Sequence, residues 1–412
     1  MEAVYQRCAG IDVGKAELKV CLRVQGRGSR PTQSTVRTWS TSTPQLQRLR
    51  SWLVAEGVER VVLESTSDYW RPVFYVLSEK LDVVLVKASD VKAMPGRKSD
   101  VCDAEWLADL AAHQLVRGSF VPPEQQRQLR DLTRARARLL EDRTREVQRL
   151  EKDLEEACIK LSTVASNLQG VSARLMLQAL IEGRSDPRAM AEFAHGRMRA
   201  KINDLTEALT GRVNDHHRFM ISFRLRRIDA ATAELAVLDA RIDELIEQAP
   251  GFSSARDLLL TVPGFGVRAA QDLLAEIGPD MTIFESAEHL ASWVGVCPGS
   301  RESAGKKKPV GARPGNRYAK RALGMAAKSA IRGKDRFLSV RFKRLAARRG
   351  YAKALVATQH AMIIAIWHML TSGTGYHDLG SDYYTRRSPE KAIRRKIADL
   401  EAAGYTITKT AA

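Results

Sequence analysis

The sequence predicts an α/β domain at residues 1–121, a long helical region at 122–250 and a mostly helical domain at 251–412. In the first range, short β-rich runs alternate with helical segments, which indicates a central sheet covered by helices. In the second range, apolar residues recur at helical spacing. Pro122–Pro123 and Pro250–Gly251 interrupt these patterns, and we therefore place the domain boundaries there.

The first domain contains segments of clear strand or helix character. Val, Ile and Leu dominate the strand segments, and glycines interrupt them. The helix at Thr43–Glu56 has Leu46, Leu49 and Leu53 on one face and a proline in its first turn. The predicted strands are Val4–Val13, Leu18–Val24, Val58–Leu63 and Leu81–Val86, and the second predicted helix is Val101–Leu115.

The helical region has two apolar stripes. The second stripe follows a regular three-four spacing, which is the pattern of a short coiled-coil seam. Spacing alone leaves two alternatives open, an antiparallel helical hairpin within one chain and a coiled coil between subunits. The first stripe comprises Leu132, Leu139, Leu150, Leu154, Cys158 and Leu161, and the second comprises Ile228, Ala231, Leu235, Leu238, Ile242 and Leu245.

Positive charge is concentrated near the C-terminal end of the chain. The formal net charge is +18, and residues 300–350 hold 17 Lys or Arg against two acids, Glu302 and Asp335. Such a segment favours a polyanionic partner, and because aromatic membrane anchors are sparse there, we expect nucleic acid rather than a membrane. The five cysteines are scattered without a CxxC pair, and no secretion signal or long apolar run is evident. We therefore expect a cytoplasmic, nucleoid-associated protein.

A set of acids in the first domain has the character of a metal site. Asp12 and Glu64 end predicted strands, and Asp100 and Asp103 lie on one face at the start of a predicted helix. Converging carboxylates repel each other unless a cation joins them, and Mg²⁺ prefers such oxygen ligands. Two Mg²⁺ ions about 4 Å apart can hold both oxygens of a phosphodiester exchange. Arg97–Lys98 suit an approaching phosphate.

Each acid taken singly has an ordinary structural explanation. Asp100 is equally suited to cap the helix, and Asp103 to interact with the helix dipole. Glu64 fits a solvated strand end, and Glu105 or Asp109 could replace either helix acid. Only the ordered set favours a metal site.

Residues 258–278, LLLTVPGFGVRAAQDLLAEIG, fit a helix-hairpin-helix pattern. Gly264 and Gly266 lie in the turn between two helices, where backbone N–H groups near a helix N-terminus can bind a DNA phosphate without reading sequence. An ordinary helical hairpin with a glycine turn is the alternative.

Residues 297–323, CPGSRESAGKKKPVGARPGNRYAKRAL, place a serine in a glycine-rich loop beside cations. A serine hydroxyl attacks phosphorus poorly unless its proton is removed and the phosphate charge is neutralised. From spacing alone, Ser303 is no better a nucleophile than Ser300. The cations available for nucleic-acid binding are Lys306, Lys307, Lys308, Arg313, Arg317, Lys320 and Arg321.

Taken in order, these segments resemble the DEDD-type insertion-sequence transposases. The resemblance runs from GIDVGKAELKV to about GYHDLGSDYY, and its distinctive parts are LEST, RKSDVCDA, VPGFG, LASWVGVCPGSRESAGKK and PGNRYAKRAL. It implies an RNase H-like (RuvC-like) N-terminal domain, a helical region and a C-terminal transposase domain. The family's acidic tetrad maps onto Asp12, Glu64, Asp100 and Asp103, and its serine maps onto Ser303 in the ESAG segment.

The resemblance also implies a chemistry and a set of partners. Ser303 would form a covalent phosphoserine link with a DNA strand in a magnesium-dependent reaction, and a strand hydroxyl would then reverse it. Some relatives use a structured RNA to pair with donor and target DNA, and assemble as tetramers in which the tetrad of one subunit lies beside the serine of another. We expect a guide RNA and a homo-oligomer here too. The chain is longer than many relatives in its helical middle.

Two other functions are compatible with parts of the sequence. A RuvC-like junction nuclease needs the tetrad and metal-activated water, but not Ser303. A non-enzymatic nucleic-acid organiser explains the charge and gives the carboxylates no role.

Overall fold

A computed structural model describes residues 3–26, 31–65, 67–87, 103–116, 118–299, 302–303, 305–307, 311–312 and 314–408, with the backbone alone for 302, 303, 306, 307, 391, 392 and 395. The chain forms two compact units, Met1–Pro122 and Pro123–Ala412. The predicted boundary at Pro250–Gly251 lies inside the second unit, and the division into three domains stays a prediction.

The first unit is built on a five-stranded mixed sheet. Strands β1, β2 and β3 are antiparallel neighbours, whereas β4 and β5 extend the sheet from β1 in parallel. The order β3-β2-β1-β4-β5 is that of an RNase H-like domain, which confirms the fold expected for the N-terminal part. The strands are β1 (Arg7–Val13), β2 (Glu17–Val24), β3 (Gln33–Ser40), β4 (Arg60–Glu64) and β5 (Val83–Val86).

Helices cover both faces of this sheet. Ala9, Ile11 and Val13 of β1 belong to a core with the helices α1 (Thr43–Ala55) and α2 (Trp70–Ser78). On the opposite face, Cys8 and Val62 pack with α3, which runs from Asp103 to Ala112 in the described part of the chain. Alternate residues of β1 therefore face different helices, as the pleat of a strand requires.

The structure corrects several predictions for this unit. It contains β3 and α2, which the sequence patterns do not predict, and β1 begins at Arg7 rather than at Val4. Nearly every residue of β3 is exposed, so this edge strand lacks the apolar alternation of a half-buried strand.

The regular structure described in the second unit consists of α-helices, a 3₁₀ helix (Gly196–Lys201) and a short hairpin. Its helices are α4 (Glu124–Glu156), α5 (Leu161–Val164), α6 (Val171–Ile181), α7 (Pro187–Ala191), α8 (Ile202–Ala208), α9 (Asp215–Gln248), α10 (Phe252–Leu260), α11 (Val267–Ile277), α12 (Ala287–Val294), α13 (Arg317–Ala330), α14 (Phe337–Arg349), α15 (Tyr351–Ser372), α16 (Tyr383–Arg387) and α17 (Pro389–Ala402). The hairpin consists of β6 (Glu302–Ser303) and β7 (Lys306–Lys307).

The two long helices α4 and α9 pack against each other along their lengths in opposite directions. Arg136 pairs with Asp239 near one end, and Arg224 pairs with Asp153 near the other. The second predicted stripe is buried within this unit except for Leu238, which is partly exposed. A hairpin within one chain therefore accounts for this stripe, and a coiled coil between subunits stays a prediction. Helix α4 ends at Glu156, and Cys158 lies in a turn with a φ of 60°, so the first stripe does not run through one helix to Leu161 as predicted.

The C-terminal helices enclose the largest core of the second unit. Helix α15 is long and apolar enough to cross a membrane by length and composition alone. Its Met362, Ile363 and Ile366 lie in this core, together with Leu273 of α11 and Leu323 of α13. Packing inside the unit thus accounts for these three apolar residues of α15.

Candidate functional site

The C-terminal ends of β1 and β4 bring two of the predicted acids to one edge of the sheet. Ile11 pairs with Leu63 in the parallel register, so Asp12 and Glu64 are the next residues on neighbouring strands. Neighbouring strands lie about 4.8 Å apart, and residues at the same register share a face. Asp12 and Glu64 are both partly exposed. The register places both acids on the face that α3 covers.

Helix α3 begins directly over this face. An added Cβ at Gly10 would lie 2.1 Å from the Ala104 carbonyl oxygen and 2.3 Å from the Ala108 nitrogen, so the helix backbone contacts the strand where only glycine fits. Gly10 and Asp12 are two residues apart and share a face. Asp103, the residue before Ala104, is exposed at the start of the described helix.

Asp12 and Asp103 are close enough to interact electrostatically. Burial raises the pKa of Asp12, and the negative charge of Asp103 raises it further. Lys19, the cross-strand neighbour of Asp12 on β2, and a hydrogen bond from the Val13 backbone act in the opposite direction on this pKa. A carboxylate whose charge is disfavoured by burial and by a second carboxylate is one that a cation would stabilise. Lys19 was not selected from the sequence. A predicted pairing register between β1 and β2 would have placed it opposite Asp12.

The rest of the predicted acidic set is only partly described. Asp100, Arg97 and Lys98 lie outside the described residues. Among the residues that the structure does describe, no group of three or more His, Cys, Asp and Glu side chains is close enough to hold a metal ion. Asp109, a possible substitute on α3, is instead paired with Arg23 at 2.6 Å.

Ser303 lies at the tip of the β6–β7 hairpin. Its backbone pairs with Lys306, and the two-residue turn between them contains Gly305 with a φ of 72°. Nearer the base of the hairpin, Gly299 N–H donates to Gly311 at 3.2 Å. Glu302 and Ser303 of the ESAG segment therefore form one strand of the hairpin, and Ser303 is the last residue of that strand.

The base of the loop that contains this hairpin is fixed by Asn316 and Lys320. The Asn316 backbone N–H donates to the Trp293 carbonyl at 3.1 Å, and Lys320 Nζ donates to the Gly295 carbonyl at 3.0 Å. Asn316 also caps α13 through its side-chain oxygen and donates from Nδ2 to Glu276 at 2.7 Å. These contacts hold the two ends of residues 296–316 together.

Glu276 joins this base to α4. Its side chain is 1% exposed, and it accepts hydrogen bonds from Arg134 Nε and Nη2, both at 2.8 Å. Arg130 lies 3.5 Å from the same carboxylate, and burial lowers the pKa of Arg130 to about 10. Sequence reasoning missed Glu276, because a glutamate within an apolar helix has no local pattern that reveals its partners.

The predicted nucleic-acid contacts have different surroundings. Arg317 is exposed and hydrogen-bonds the Tyr318 hydroxyl at 2.8 Å, whereas Arg321 pairs with Glu141 at 2.6 Å. Only the backbone is described for Lys306 and Lys307, and Lys308 and Arg313 lie outside the described residues.

The two glycines of the predicted helix-hairpin-helix differ in accessibility. Gly264 has a φ of 91°, and an added Cβ would lie 2.2 Å from the Ala326 carbonyl oxygen of α13. Gly266 is exposed, with nothing within 4 Å of an added Cβ. The tight approach at Gly264 is thus accounted for by packing between helices, and contact of this turn with DNA stays a prediction.

Helix α14 presents a second cationic surface. The sequence analysis counted its Lys and Arg residues in the charge of residues 300–350 but did not select them as a binding site. The helix contains no acidic residue, and Lys343, Arg344, Ala347 and Arg348 line a shallow crevice of about 460 Å³. The Arg344 guanidinium lies 4.4 Å from the ring centroid of Tyr384. Such a helix face suits a phosphate backbone.

Comparisons with known proteins find two family models that each match part of the chain. A family model described as transposase matches residues 9–159, and the model described as the transposase IS116/IS110/IS902 family matches residues 256–340. The chain is 28% identical over 302 residues to the insertion element IS900 uncharacterized 42 kDa protein of Mycobacterium paratuberculosis, with 68% of this chain and 73% of that protein covered.

Two further similarities cover less of the chain. The insertion element IS110 uncharacterized 43.6 kDa protein of Streptomyces coelicolor is 31% identical over 153 residues, which is 36% of this chain and 36% of that protein. The chain thus spans about a third of that relative and about three quarters of the Mycobacterium one. Thermus thermophilus RuvC has a TM-score of 0.20 and 15% identity, and the match covers 25% of this chain and 90% of that one.

Proposed function

The chain belongs to the IS116/IS110/IS902 family of transposases, and from this premise we propose that it exchanges DNA strands through a phosphoserine link formed by Ser303 in a magnesium-dependent reaction. The observation that supports the proposal most strongly is the edge of the sheet where Asp12 and Glu64 lie at the C-terminal ends of neighbouring strands, on the face that the helix of Asp103 covers. The donor and target DNA are the substrates, and the protein works in the cytoplasm, where that DNA lies.

Asp12, Glu64, Asp100 and Asp103 are the residues that would hold the metal. The raised pKa of Asp12 supports this assignment. Burial and Asp103 destabilise the negative charge of its carboxylate, and a nearby cation would stabilise that charge. Bound Mg²⁺ ions supply charge stabilisation to the phosphate oxygens. Lys19, across from Asp12, supports the deprotonated carboxylate.

Ser303 would act as the nucleophile. Its hydroxyl loses a proton and forms an O–P bond, and the bond between phosphorus and the leaving strand oxygen breaks, with the proton passing to that oxygen. A strand hydroxyl then attacks the phosphoserine, forms a new phosphodiester and returns the serine. One ester bond replaces another at each step, so no ATP is required.

The cationic residues of the second unit would hold the nucleic acid. Lys306, Lys307, Lys308, Arg313 and Arg317 surround the serine hairpin in sequence, and α14 adds the crevice lined by Lys343, Arg344 and Arg348. Phosphate contacts position a strand without reading its sequence. We therefore propose that a structured RNA supplies the pairing with DNA, and that the protein acts as a homo-oligomer, a dimer or a tetramer.

The test is a trapped protein–DNA adduct. The full chain, purified with its bound nucleic acid, is incubated with Mg²⁺ and nicked DNA carrying the ends of the element, from which the cleaved strand diffuses away. We expect a covalent adduct on the tryptic peptide Glu302–Lys306, which contains Ser303 alone as a hydroxyl residue. Ser303→Ala should abolish the adduct, and the matched control Ser300→Ala should retain it.

Other outcomes separate the alternatives. Strand cleavage with free ends and no adduct, unchanged in Ser303→Ala, would establish a junction nuclease that uses water. Transposition that survives substitution of all four acids would establish a non-enzymatic organiser. An adduct that persists in Ser303→Ala would contradict the assignment of the nucleophile.

A further inference from the structure

Helix α9 presents two phenylalanine rings and an arginine in one column on its outer surface. The Phe219 and Phe223 ring centroids are 6.5 Å apart, and their planes differ by 10°. The Arg227 guanidinium carbon lies 5.8 Å from the Phe223 centroid. Phe219, Phe223 and Arg227 follow at intervals of four residues, so they share one side of the helix. This column lies in residues 160–255, between the two matched family segments.

The rings of this column are accessible. Phe219 is 62% exposed, and Phe223 is partly exposed. Single apolar side chains on a surface are common, but here two nearly parallel rings beside a guanidinium present their π-faces in the same orientation. A nucleobase can stack on such a surface because every base has a π-face.

The arginine of the column is held by a buried acid. Glu146 of α4 is 3% exposed and contacts Arg149 Nη1 at 2.6 Å, Arg227 Nε at 3.0 Å and Arg224 Nη1 at 3.4 Å. The Arg149 and Arg227 side chains are still 50% and 55% exposed. The buried carboxylate therefore orients two guanidiniums whose remaining donors reach solvent.

The surroundings of the column are positively charged. Residues 212–227 contain five arginines and one acid, Asp215, which is paired with Arg218. Three arginines share Glu146, so the cluster keeps an excess of positive charge even with Asp153 beside Arg224. An anionic partner gains from this excess. A self-complementary contact with a second copy would bring like charges together.

We propose that the Phe219–Phe223–Arg227 column of α9 binds unpaired nucleotides of a single-stranded nucleic acid. The two rings stack bases, and Arg227 and Arg149 contact the adjoining phosphates. A duplex keeps its bases stacked on each other and cannot use the rings in this way. The proposal does not depend on the phosphoserine chemistry, because it requires only binding by the second unit.

The experiment uses the full chain and short strands of oligo(U) or oligo(dT) that carry a photoreactive 5-iodouracil. After irradiation and trypsin digestion, we expect an adduct on the peptide Phe219–Arg224, which trypsin releases after Arg218. An unlabelled single strand should suppress this adduct, and an unlabelled duplex should not. The RNA and DNA arms distinguish the two sources of unpaired nucleotides.

Matched variants separate binding from the reactivity of the rings. Arg227→Gln leaves both rings in place and should lower the yield of the adduct, whereas Arg241→Gln, at a 52% exposed arginine of the same helix, should not. Phe219→Leu should lower the adduct on the remaining Phe223 on the order of tenfold. Val237→Ala, at a 70% exposed apolar residue of α9, should leave it unchanged.

Three results would overturn the proposal. The first is the absence of an adduct on this peptide while adducts form in residues 300–350. The second is equal suppression by duplex and single strand. The third is dissociation of an oligomer by Phe219→Leu without any adduct, which would assign the column to contact with a second copy of the chain.

Discussion

The two units support their candidate chemical residues in different ways. In the first unit, Asp12 and Glu64 lie at the C-terminal ends of buried strands, and Asp103 is the first described residue of a helix packed against Gly10. In the second unit, Ser303 lies at the tip of a short hairpin, and the polar contacts of Asn316, Lys320 and Glu276 fix only its base. The apolar core therefore fixes the positions of the acids. A buried polar network, in contrast, fixes the base of the loop that contains Ser303.

The largest expected change in stability comes from removing the centre of that network. Glu276→Ala leaves Arg134 and Arg130 without their buried carboxylate, and such a loss costs about 3–5 kcal/mol. We expect urea unfolding of the full chain to show this loss in the transition of the second unit. The control Glu244→Ala removes an exposed partner of Arg241 and should leave the unfolding free energy nearly unchanged, because solvent screens such a pair. Equal effects in the two variants would show that the network does not stabilise the unit.

A smaller effect is expected where helix α3 contacts the sheet. Gly10→Ala forces the α3 backbone away from β1, and overpacking of this kind costs about 1–3 kcal/mol. Because Asp103 lies in the first described turn of α3, the same change should weaken Mg²⁺ binding. Gly266→Ala, where an added Cβ meets nothing within 4 Å, should affect neither the stability of the first unit nor Mg²⁺ binding. Unchanged metal affinity in Gly10→Ala would separate α3 from the acidic site.

Sequence patterns predicted those parts of both units whose structure depends on residues close together in the sequence. Asp12 and Glu64 were recognised because buried apolar runs end at them. The edge strand β3 was missed because its residues are exposed, and α2 was missed because its Trp70, Phe74 and Tyr75 suit a strand as well as a helix. Lys19 and Glu276 were missed for another reason, because their roles depend on partners distant in the sequence.

The cap of α13 should have a moderate effect on the second unit. Asn316→Ala removes the acceptor for the Tyr318 and Ala319 N–H groups, which costs about 1 kcal/mol. It also removes the donor to Glu276 and should lower the yield of the Ser303 adduct. Asn316→Asp keeps the cap and loses that donor, so it should retain the helix but not the full adduct yield. A wild-type yield in both variants would show that the base does not position the hairpin.

The smallest expected effect is on the pH dependence of the first unit. The raised pKa of Asp12 means that folding favours its protonated form, so this contribution to stability is present at low pH and is lost as pH rises through the raised value. Without Mg²⁺, Asp12→Asn should therefore be slightly more stable than wild type near neutral pH, and the difference should vanish below the ordinary pKa of aspartate. Thermal unfolding across this pH range measures it, and a less stable variant at neutral pH would contradict the assigned sign.

The most direct test of the account is Mn²⁺ binding to the full chain, followed by electron paramagnetic resonance and competed by Mg²⁺. We predict that wild type binds Mn²⁺, that Asp12→Asn and Asp103→Asn each weaken binding by at least about tenfold, and that Asp68→Asn, at an exposed acid of the same unit, does not. Binding that is unchanged by both substitutions would contradict the claim that this edge of the sheet is a metal site.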